Sequence, residues 1–365
     1  MRFIVKIGTN LLTNEDNSLN TAFVKTITTQ VATLHKNGHE PIIVTSGAVA
    51  SGRKSLKLKK ESKHIPYRQV LASVGQTYLL DTYRDDFREH NIVIGQVLVT
   101  MGDFNERKNF MSTKKTMELM LELKVIPIIN ENDVTSFDEL KFGDNDNLSA
   151  HMASLLGAEK LIILTDVDGL FESNPQKNPD AKLVKIVEKI DDSIKKMAPQ
   201  EAKGDKGLGG MYSKIKAVEY ATEAGVEAWV ANGTIPNVVF DIIEGKEHHG
   251  TQFKPQFNSG KSRRKWLQLN QLQGAAIVID KGATEALLKK GKSLLPSGIK
   301  EVRGSFERGD VVAILGPDDG KIGFGQINYN NREVEVIKGK HSEDIPDLLG
   351  YSLEEEVIHR DNMVT

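Results

Sequence analysis

A chain of 365 residues is longer than one compact core usually requires, so we expect two domains, one of them large enough to carry an enzyme active site. The hydrophobic fraction of 39% and the charged fraction of 27% are ordinary for globular proteins, and a formal net charge of −2 indicates no particular partner. Because the chain has no cysteine, disulfides, thiolate metal sites and cysteine nucleophiles are excluded.

The first residues predict a strand rather than a signal peptide, since Lys6 interrupts the apolar run and Gly8 ends it. No later run approaches the roughly 18 to 20 apolar residues that cross a bilayer. We therefore expect no membrane partner and a cytoplasmic location.

Short apolar runs alternate with longer helical patterns as far as residue 250, which is typical of a parallel sheet covered by helices on both faces. One helix is indicated by the spacing of Phe23, Ile27, Val31 and Leu34. The predicted strands are 3–7, 41–45, 92–100, 125–130, 161–165 and 226–231. The expected fold class is α/β, with an open, mostly parallel sheet sandwiched by helices and with ligands at the carboxyl ends of the strands.

The composition changes after residue 250. Residues 251–265 contain Pro255 and five basic side chains but no acidic one, which indicates a linker. Short strands separated by Gly, Pro and Asp follow, and they indicate a small, mostly-β second domain; the predicted strands are 275–279, 309–314 and 334–337. The predicted boundaries are a catalytic domain at 1–253, a basic linker at 254–269 and the second domain at 270–350.

The first loop suited to a phosphate follows the first strand. Gly8 lets backbone N–H groups approach an anion, and Lys6 in the strand before it would neutralise phosphate oxygens. The alternative is an edge-strand lysine followed by a turn glycine. A second such loop, residues 45–52, should open a helix whose N-terminus holds an anion, although Ser46 there has the ordinary alternative of an N-cap.

Two acidic and amide-rich clusters follow, at residues 130–133 and 142–147. Their carboxylates and amides suit an ammonium group, the positioning of lysines, or a metal held through water. The alternative for Asp144 to Asn147 is a turn that caps a helix beginning near Leu148.

The fourth feature joins residues 164–170 to the glycine-rich stretch 207–214. A helix is predicted after the glycines, with Met211, Ile215, Val218 and Tyr220 on its buried face. Lys214 then lies in the first turn, where a cation next to the positive end of the helix indicates an anionic partner. The alternative is a flexible loop with a solvated lysine.

Two common ligand-binding motifs are excluded. An EF-hand loop fails because Leu148 and Ser149 stand where Asp or Asn and Gly are needed. A P-loop fails because Pro255 and Ala286 occupy the position of the first glycine in the two Gly-Lys-Ser candidates.

Taken in order, residues 6–9, 46–48, 129–133, 142–146, 164–166 and 209–214 resemble the amino-acid kinase family. The C-terminal stretch with residues 293–296 and 308–310 resembles the PUA domain that many bacterial members carry. The resemblance covers nearly the whole chain. Within the family, the combination is most similar to members that use ATP to phosphorylate the γ-carboxylate of L-glutamate, the first step of proline biosynthesis.

The resemblance implies a role for each matching position. Lys6, Asp146 and Lys214 would be catalytic, with Asp146 organising the two lysines. Ser46, Asp133 and Asn145 would bind glutamate. The nucleotide would contact Lys6, Gly8, Thr165, Asp166, Leu208, Gly209, Gly210, Met211, Tyr212, Ser213 and Lys214. Threonines are frequent in the family at 208 and 213; Ser213 keeps a hydroxyl, whereas Leu208 does not.

The chemistry expected of these residues is in-line phosphoryl transfer. The attacking carboxylate is ionised near pH 7 and needs no general base, so positioning and charge neutralisation must provide the catalysis. We expect Lys6 and Lys214 to approach the γ-phosphoryl group from two sides, and Gly8, Gly209 and Gly210 to supply backbone donors. Magnesium would be bound through the nucleotide phosphates, with no dedicated protein metal site.

The product would be a reactive acyl phosphate, so shielding from water or hand-over to a glutamyl phosphate reductase is expected. The family resemblance also implies feedback inhibition by proline and a homo-oligomer. One alternative is another acceptor, namely acetylglutamate, aspartate, carbamate or a nucleoside monophosphate, although the β-rich tail favours glutamate. The other alternative is RNA binding through the tail and the basic linker residues Lys261, Arg263, Arg264 and Lys265. It is less favoured, because the tail lacks a clustered positive surface and an aromatic platform.

Overall fold

The structure of the chain is a computed structural model. The structure describes residues 1–16, 18–57, 64–105, 107–135, 145–173, 175, 178–198, 210–246, 249–256, 271–351 and 354–365. Tertiary contacts divide the chain into two compact units, Met1–Phe257 and Asn258–Thr365. Within the described ranges, no helix is both long and apolar enough to cross a membrane.

The first unit is built on an eight-stranded sheet in the order β3-β4-β2-β1-β5-β7-β8-β6. Its strands are β1 (Arg2–Ile7), β2 (Glu40–Val44), β3 (Ile94–Val99), β4 (Ile126–Glu131), β5 (Lys160–Thr165), β6 (Ile186–Val187), β7 (Glu227–Asn232) and β8 (Thr251–Phe253). Neighbours pair in parallel except β7 with β8. The six strands predicted for this part of the chain are confirmed.

Helices cover both faces of this sheet, as predicted. They are α1 (Thr9–Leu12), α2 (Thr21–Lys36), α3 (Ala48–Ser55), α4 (Ile65–Glu89), α5 (Met101–Asn105), α6 (Arg107–Glu122), α7 (Asn145–Leu156), α8 (Asp192–Met197), α9 (Met211–Glu223) and α10 (Val238–Glu244). The helix predicted from Phe23, Ile27, Val31 and Leu34 is α2, and Asn37 is its C-cap residue.

The alternation of β1 decides which face each side chain meets. Phe3, Val5 and Ile7 belong to the core that α2, α4 and α10 help to form, whereas Ile4 belongs to the core shared with α7 and α9. Because side chains two apart in a strand share a face, Lys6 lies on the same side as Ile4. The sheet therefore directs Lys6 toward α7 and α9.

Helix α9 confirms the predicted helix after the glycine-rich stretch, with one correction. Ile215 and Val218 are buried, but Tyr220 is exposed and stacks its ring on His151 of α7, with a centroid distance of 4.1 Å. The buried positions are completed by small alanines, since α7 and α9 pack closely together.

The second unit holds a five-stranded sheet in the order β10-β9-β11-β12-β13. Its strands are β9 (Gln271–Ile279), β10 (Ile299–Arg303), β11 (Val311–Leu315), β12 (Lys321–Gln326) and β13 (Met363–Val364). Only β9 and β11 pair in parallel. The described helices of this unit are α11 (Lys281–Lys290), α12 (Asn331–Ile337) and α13 (Ile345–Leu349). A separate apolar core lies within it.

The prediction of a strand at 334–337 is wrong, because these residues form the end of α12. Asn330 caps the helix by accepting from the N–H groups of Arg332 and Glu333, and the Glu333 carboxylate accepts from the Asn330 N–H at 2.8 Å. Val334 and Ile337, three residues apart, are buried on one face. A reciprocal cap of this kind fixes a helix start, which outweighs the strand propensity of the valines.

Of the predicted linker 254–269, residues 257–269 lie outside the described residues. At its start, Lys254 and Gln256 donate backbone hydrogen bonds to Val187 and Thr222 of the first unit. The domain boundaries given above stay a prediction, and the basic residues on which the RNA alternative rested fall within the part not described.

Candidate active site

The candidate site lies at one edge of the first sheet. Strands β4, β2, β1 and β5 are adjacent and parallel, so their carboxyl ends, and the loops that follow them, meet there. Three helices begin near these ends, namely α3 after β2, α7 after the segment that follows β4, and α9. The predicted site residues are distributed over these strand ends and helix starts.

Asp146 joins the two predicted catalytic lysines. It lies in the first turn of α7 and is completely buried. Its Oδ1 forms an ion pair with the Lys6 ammonium, and its Oδ2 lies 3.4 Å from Lys214 Nζ. The Ser213 hydroxyl donates to the same Oδ2 at 2.9 Å. Residues from β1, α7 and α9 are thus held together around one carboxylate.

The alternatives considered for the two lysines, an edge-strand lysine for Lys6 and a solvated loop lysine for Lys214, are wrong. Strand β1 lies between β2 and β5 in the sheet, so Lys6 is not an edge-strand residue. Lys6 and Lys214 are each only 5% exposed, so neither is a solvated side chain. Burying a charge is costly unless it is paired, and both lysines approach the Asp146 carboxylate, while the charge of Asp166 also acts on Lys214. Two buried ammonium groups held at the edge of the sheet where the loops converge are suited to an anion.

The charges of this cluster shift one another's pKa values. Burial favours the neutral form of Asp146, but the Lys6 and Lys214 ammonium groups overcome it and hold the pKa of the carboxyl below its usual value. Burial lowers the pKa of Lys214, and the neighbouring Lys6 charge adds to the decrease, while Asp146 opposes it. A bound phosphate would favour the ammonium form of Lys214.

Gly8 has a different role from the one predicted. Its N–H group donates to Leu164 O of β5 at 3.0 Å, so it is not available to a phosphate. A Cβ at this position would stand 3.1 Å from the same oxygen. Gly8 is needed because β1 and β5 approach closely here, and the prediction of a backbone donor at Gly8 is wrong.

Asn145 connects the ends of β2 and β4. Its Nδ2 lies 2.7 Å from Thr45 O, 2.9 Å from Ser46 Oγ and 3.0 Å from Asn130 Oδ1. The Oδ1 atom of Asn145 is buried and has no hydrogen-bond partner among the described residues. Three acceptors around Nδ2 fix the orientation of the amide, so Asn145 presents an acceptor to a ligand.

Ser46 does not cap α3, so that alternative is wrong. The residue before α3 is Gly47, whose φ of 93° is in the left-handed region that favours glycine, and no side chain in the described part of the structure caps the helix. Ser46 instead accepts from Asn145 at 2.9 Å. The helix-cap alternative for the acidic cluster is also incomplete, because α7 begins at Asn145, three residues before Leu148, and Asp144 lies outside the described residues.

Asp133 lies beyond β4, beside an open cavity of about 340 Å³ whose walls include Gln76, Gln96 and Asn132. In the described ranges it makes no hydrogen bond with Ser46 or Asn145, so the structure does not join these three predicted glutamate ligands directly. Burial, and then the nearby Glu131 charge, raise the pKa of Asp133 to about 6, against the opposing effect of Arg68.

The predicted nucleotide residues fall into two groups. Thr165 ends β5, and its hydroxyl donates to Asp166 Oδ1 at 3.1 Å. Asp166 Oδ2 accepts from Asn10 at 2.9 Å, which couples the loop after β5 to α1. Burial acts to raise the pKa of Asp166, but the hydrogen bonds from Asn10, the backbone and Thr165, together with the Lys214 charge, outweigh it, and the pKa is lowered.

The second group surrounds the start of α9. Gly210 is the N-cap residue, with no side chain to cap the helix, and Met211 and Tyr212 are the first helical residues. Their N–H groups have no acceptor within the helix, as at any helix start. Lys216 lies over the Tyr212 ring, 4.8 Å from its centroid. Leu208 and Gly209, which were also predicted to contact the nucleotide, lie outside the described residues.

Several residues of the site were not predicted from the sequence. Asn10 and Asn130 stand in the predicted loops, but no role was assigned to them. Gln76 accepts from Asn130 Nδ2 at 2.8 Å, and the Tyr83 hydroxyl lies 2.9 Å from Thr45 Oγ1. Gln76 and Tyr83 both belong to α4. The only signal in the sequence is their separation of seven residues, which places both polar groups on one face of the helix.

Among the described residues, no group of three or more His, Asp or Glu side chains is placed to hold a metal ion. The charged groups around Asp146 are ammonium groups, which repel a cation.

Comparison with known proteins identifies the family. The profile of the Amino acid kinase family matches residues 1–232, and that of the PUA domain matches residues 275–349. The chain belongs to the amino acid kinase family. Its fold is that of the family, a mostly parallel sheet between helices, followed by a PUA domain with a sheet of its own.

The similarity to curated relatives extends over the full length. The glutamate 5-kinase of Caldanaerobacter subterraneus subsp. tengcongensis is 43% identical over 364 residues, covering 100% of this chain and 97% of the relative. The glutamate 5-kinase of Sodalis glossinidius is 43% identical over 361 residues, covering 99% and 98%. A solved isopentenyl phosphate kinase aligns with 70% of this chain and 100% of its own, at 20% identity and a TM-score of 0.49.

Proposed function

We propose that this protein transfers the γ-phosphoryl group of ATP to the γ-carboxylate of L-glutamate. A carboxylate oxygen forms a bond to the γ-phosphorus, the bond from phosphorus to the β–γ bridging oxygen breaks, and ADP and an acyl phosphate leave. The observation that carries the proposal is the buried cluster in which Asp146 holds Lys6 and Lys214 beside the ends of β1 and β5. The full-length similarity to glutamate 5-kinases supports glutamate as the acceptor.

The two lysines stabilise the transition state. Charge spreads over the equatorial oxygens of the transferring phosphoryl group, and preorganised cations at both sides stabilise it without needing to reorganise. Asp146 keeps the ammonium groups apart and oriented, because each pairs with a different carboxylate oxygen. Lys6 and Lys214 are the catalytic residues, and Asp146 and Ser213 position them.

The glutamate ligands can be assigned by their remaining hydrogen-bonding capacity. Asn145 has a buried, unpartnered acceptor among the described residues, so it suits the substrate ammonium rather than the α-carboxylate. Asp133 supplies a carboxylate for the same ammonium group. Ser46 already accepts from Asn145, and its hydroxyl proton is left to donate to the α-carboxylate.

The nucleotide is proposed to lie between Thr165, Asp166 and the start of α9, where Gly210, Met211 and Tyr212 offer backbone groups. Leu208 and Gly209 remain proposed contacts of the same stretch. Bound through the β- and γ-phosphates, magnesium would neutralise part of their charge. The proposal also includes inhibition by proline, assembly into a homo-oligomer, and hand-over of the acyl phosphate to a glutamyl phosphate reductase.

A hydroxamate assay tests the acceptor. Hydroxylamine attacks the carbonyl of an acyl phosphate and releases phosphate, so ATP, magnesium and hydroxylamine should give a hydroxamate with glutamate as acceptor. Parallel reactions contain aspartate or acetylglutamate, and formation of ADP is followed with carbamate and with a nucleoside monophosphate. Faster turnover with any of these than with glutamate would overturn the assignment.

A further inference from the structure

A chain of three amide side chains runs from α4 into the candidate site. Gln76 Oε1 accepts from Asn130 Nδ2 at 2.8 Å, and Asn130 Oδ1 accepts from Asn145 Nδ2 at 3.0 Å. The chain ends at Asn145 Oδ1, the buried acceptor that has no partner among the described residues. Three segments that are distant in the sequence thus determine where that acceptor points.

Asn130 is the central link, and its orientation matters. It is 3% exposed, so neither end of its amide is freely hydrated. With its oxygen toward Asn145, it accepts from the Asn145 amide and from the Glu131 N–H at 2.9 Å. In the reverse orientation, two NH₂ groups would face each other. Gln76 favours the productive orientation because it gives the Asn130 NH₂ group an acceptor on the opposite side.

Removing the Gln76 acceptor would leave a buried donor unsatisfied. Leaving a buried polar group without a partner costs more than the net value of the hydrogen bond, so the Asn130 amide would rotate or shift to find another. Asn145 would lose one of the three acceptors that hold its Nδ2. The consequence is expected at Asn145 Oδ1 rather than at the ion pair of Lys6 with Asp146, which involves none of the three amides.

We propose that Gln76 is a positioning residue of the glutamate site, which orients Asn145 through Asn130 so that Asn145 Oδ1 meets the substrate ammonium. This inference rests on the proposed function. Gln76 is proposed to contact neither the substrate nor the nucleotide. It also lines the cavity beside Asp133.

The first test compares Gln76→Ala with Gln76→Glu in steady-state kinetics. We expect Gln76→Ala to raise the glutamate KM by about tenfold, the effect of one buried hydrogen bond, with kcat and the ATP KM changed less than about twofold. Gln76→Glu keeps an oxygen that accepts from Asn130 and should restore the KM. Thr82→Ala, which removes an α4 hydroxyl that donates to Tyr78 O and does not line the cavity beside Asp133, is the matched control and should behave as the unaltered protein.

The second test asks whether Gln76 acts through Asn130. In an Asn130→Ala background, Gln76 Oε1 no longer has the Asn130 amide as a donor. Adding Gln76→Ala should therefore change the glutamate KM by less than about twofold. Equal effects in both backgrounds would overturn the inference, as would an unchanged KM in Gln76→Ala or a failure of Gln76→Glu to restore it. If the unaltered protein shows no glutamate-dependent turnover, the proposed function fails instead.

Discussion

At the scale of single residues, Asp146 is the centre of the candidate site. It is buried without direct access to solvent, yet it is held in its charged form by two lysines from different elements. A carboxylate in this position has no proton to donate, because the neighbouring ammonium groups lower its pKa. Its contribution is geometric, since it fixes the positions of the charges that the transferring phosphoryl group meets.

Asp146→Asn should lower kcat by about 100-fold or more while the ATP dissociation constant changes by less than about threefold, because misplaced lysines are felt mainly in the transition state. Steady-state kinetics and isothermal titration with ATP measure the two effects. Asp85→Asn, an exposed carboxylate on α4, is the control for loss of one negative charge. A variant that keeps normal turnover would remove Asp146 from the mechanism.

Asp133 gives the site a pH dependence. Its pKa is raised to about 6, so below that pH the side chain is a neutral acid that cannot attract an ammonium group. We expect the glutamate KM to fall as the pH rises from about 5 to about 7 and then to level off. Asp133→Asn should give a high KM that is flat over this range. A profile that is the same in both proteins would show that Asp133 does not bind the ammonium group.

The raised pKa of Asp133 also affects stability. A rise in pH strengthens glutamate binding but weakens the fold of the free protein. A carboxyl group whose folded-state pKa is raised binds its proton more tightly in the folded protein than in the unfolded chain. In the absence of substrate, Asp133 therefore destabilises the fold as the pH rises from about 4 through about 6. Bound glutamate would compensate this cost, because its ammonium group pairs with the ionised carboxylate.

At the scale of elements, α3 and α4 cross at two glycines. A Cβ on Gly52 would stand 1.9 Å from Leu71 O, and one on Gly75 would stand 1.8 Å from Ala48 O. These are backbone atoms that cannot move aside. The close crossing places Gln76 and Tyr83, on α4, within hydrogen-bonding distance of the loops that follow β4 and β2.

Gly75→Ala should therefore separate α3 from α4, lower the free energy of unfolding by roughly 1–3 kcal/mol or more, and raise the glutamate KM. Chemical denaturation and kinetics measure the two effects. Gly282→Ala is the control, because Gly282 lies in the first turn of α11, where a Cβ comes no closer than 3.4 Å to a side-chain oxygen. An equal loss of stability in both variants would contradict a specific role for the crossing.

The elements also show what the sequence could and could not predict. Buried strands such as β1 and β5 were found because continuous runs of Val, Ile and Leu are distinctive. Residues 334–337 were assigned to a strand because two valines separated by one residue fit an alternating pattern as well as a helical one. The reciprocal pair of Asn330 and Glu333, three residues apart, was the signal that could have corrected it.

For the site, the sequence identified residues but not their partners. Lys6, Asp146 and Lys214 were predicted as a group, and the structure places them in contact. The hydrogen bond from Asn130 to Gln76 spans 54 positions, so only the packing of α4 against the sheet could reveal it. Gly8 was misassigned because a glycine after a strand looks the same whether a ligand or a neighbouring strand approaches it.

At the scale of the whole molecule, all the described site residues belong to the first unit, Met1–Phe257. That unit has its own cores on the two faces of its sheet, while the second unit has a separate core that includes Ile277, Ile314 and Tyr329. No residue of the second unit is needed to explain the arrangement around Asp146.

A chain shortened to residues 1–257 should therefore fold and keep glutamate-dependent phosphorylation, with kcat/KM within about tenfold of the full chain, because a unit with its own core can fold alone. Circular dichroism tests the folding and ADP release tests the activity. Inhibition by proline is measured in the same reactions, so a change confined to inhibition would assign the PUA domain a regulatory role. A folded fragment without activity would show that the second unit contributes to catalysis, and it would contradict a site contained in the first.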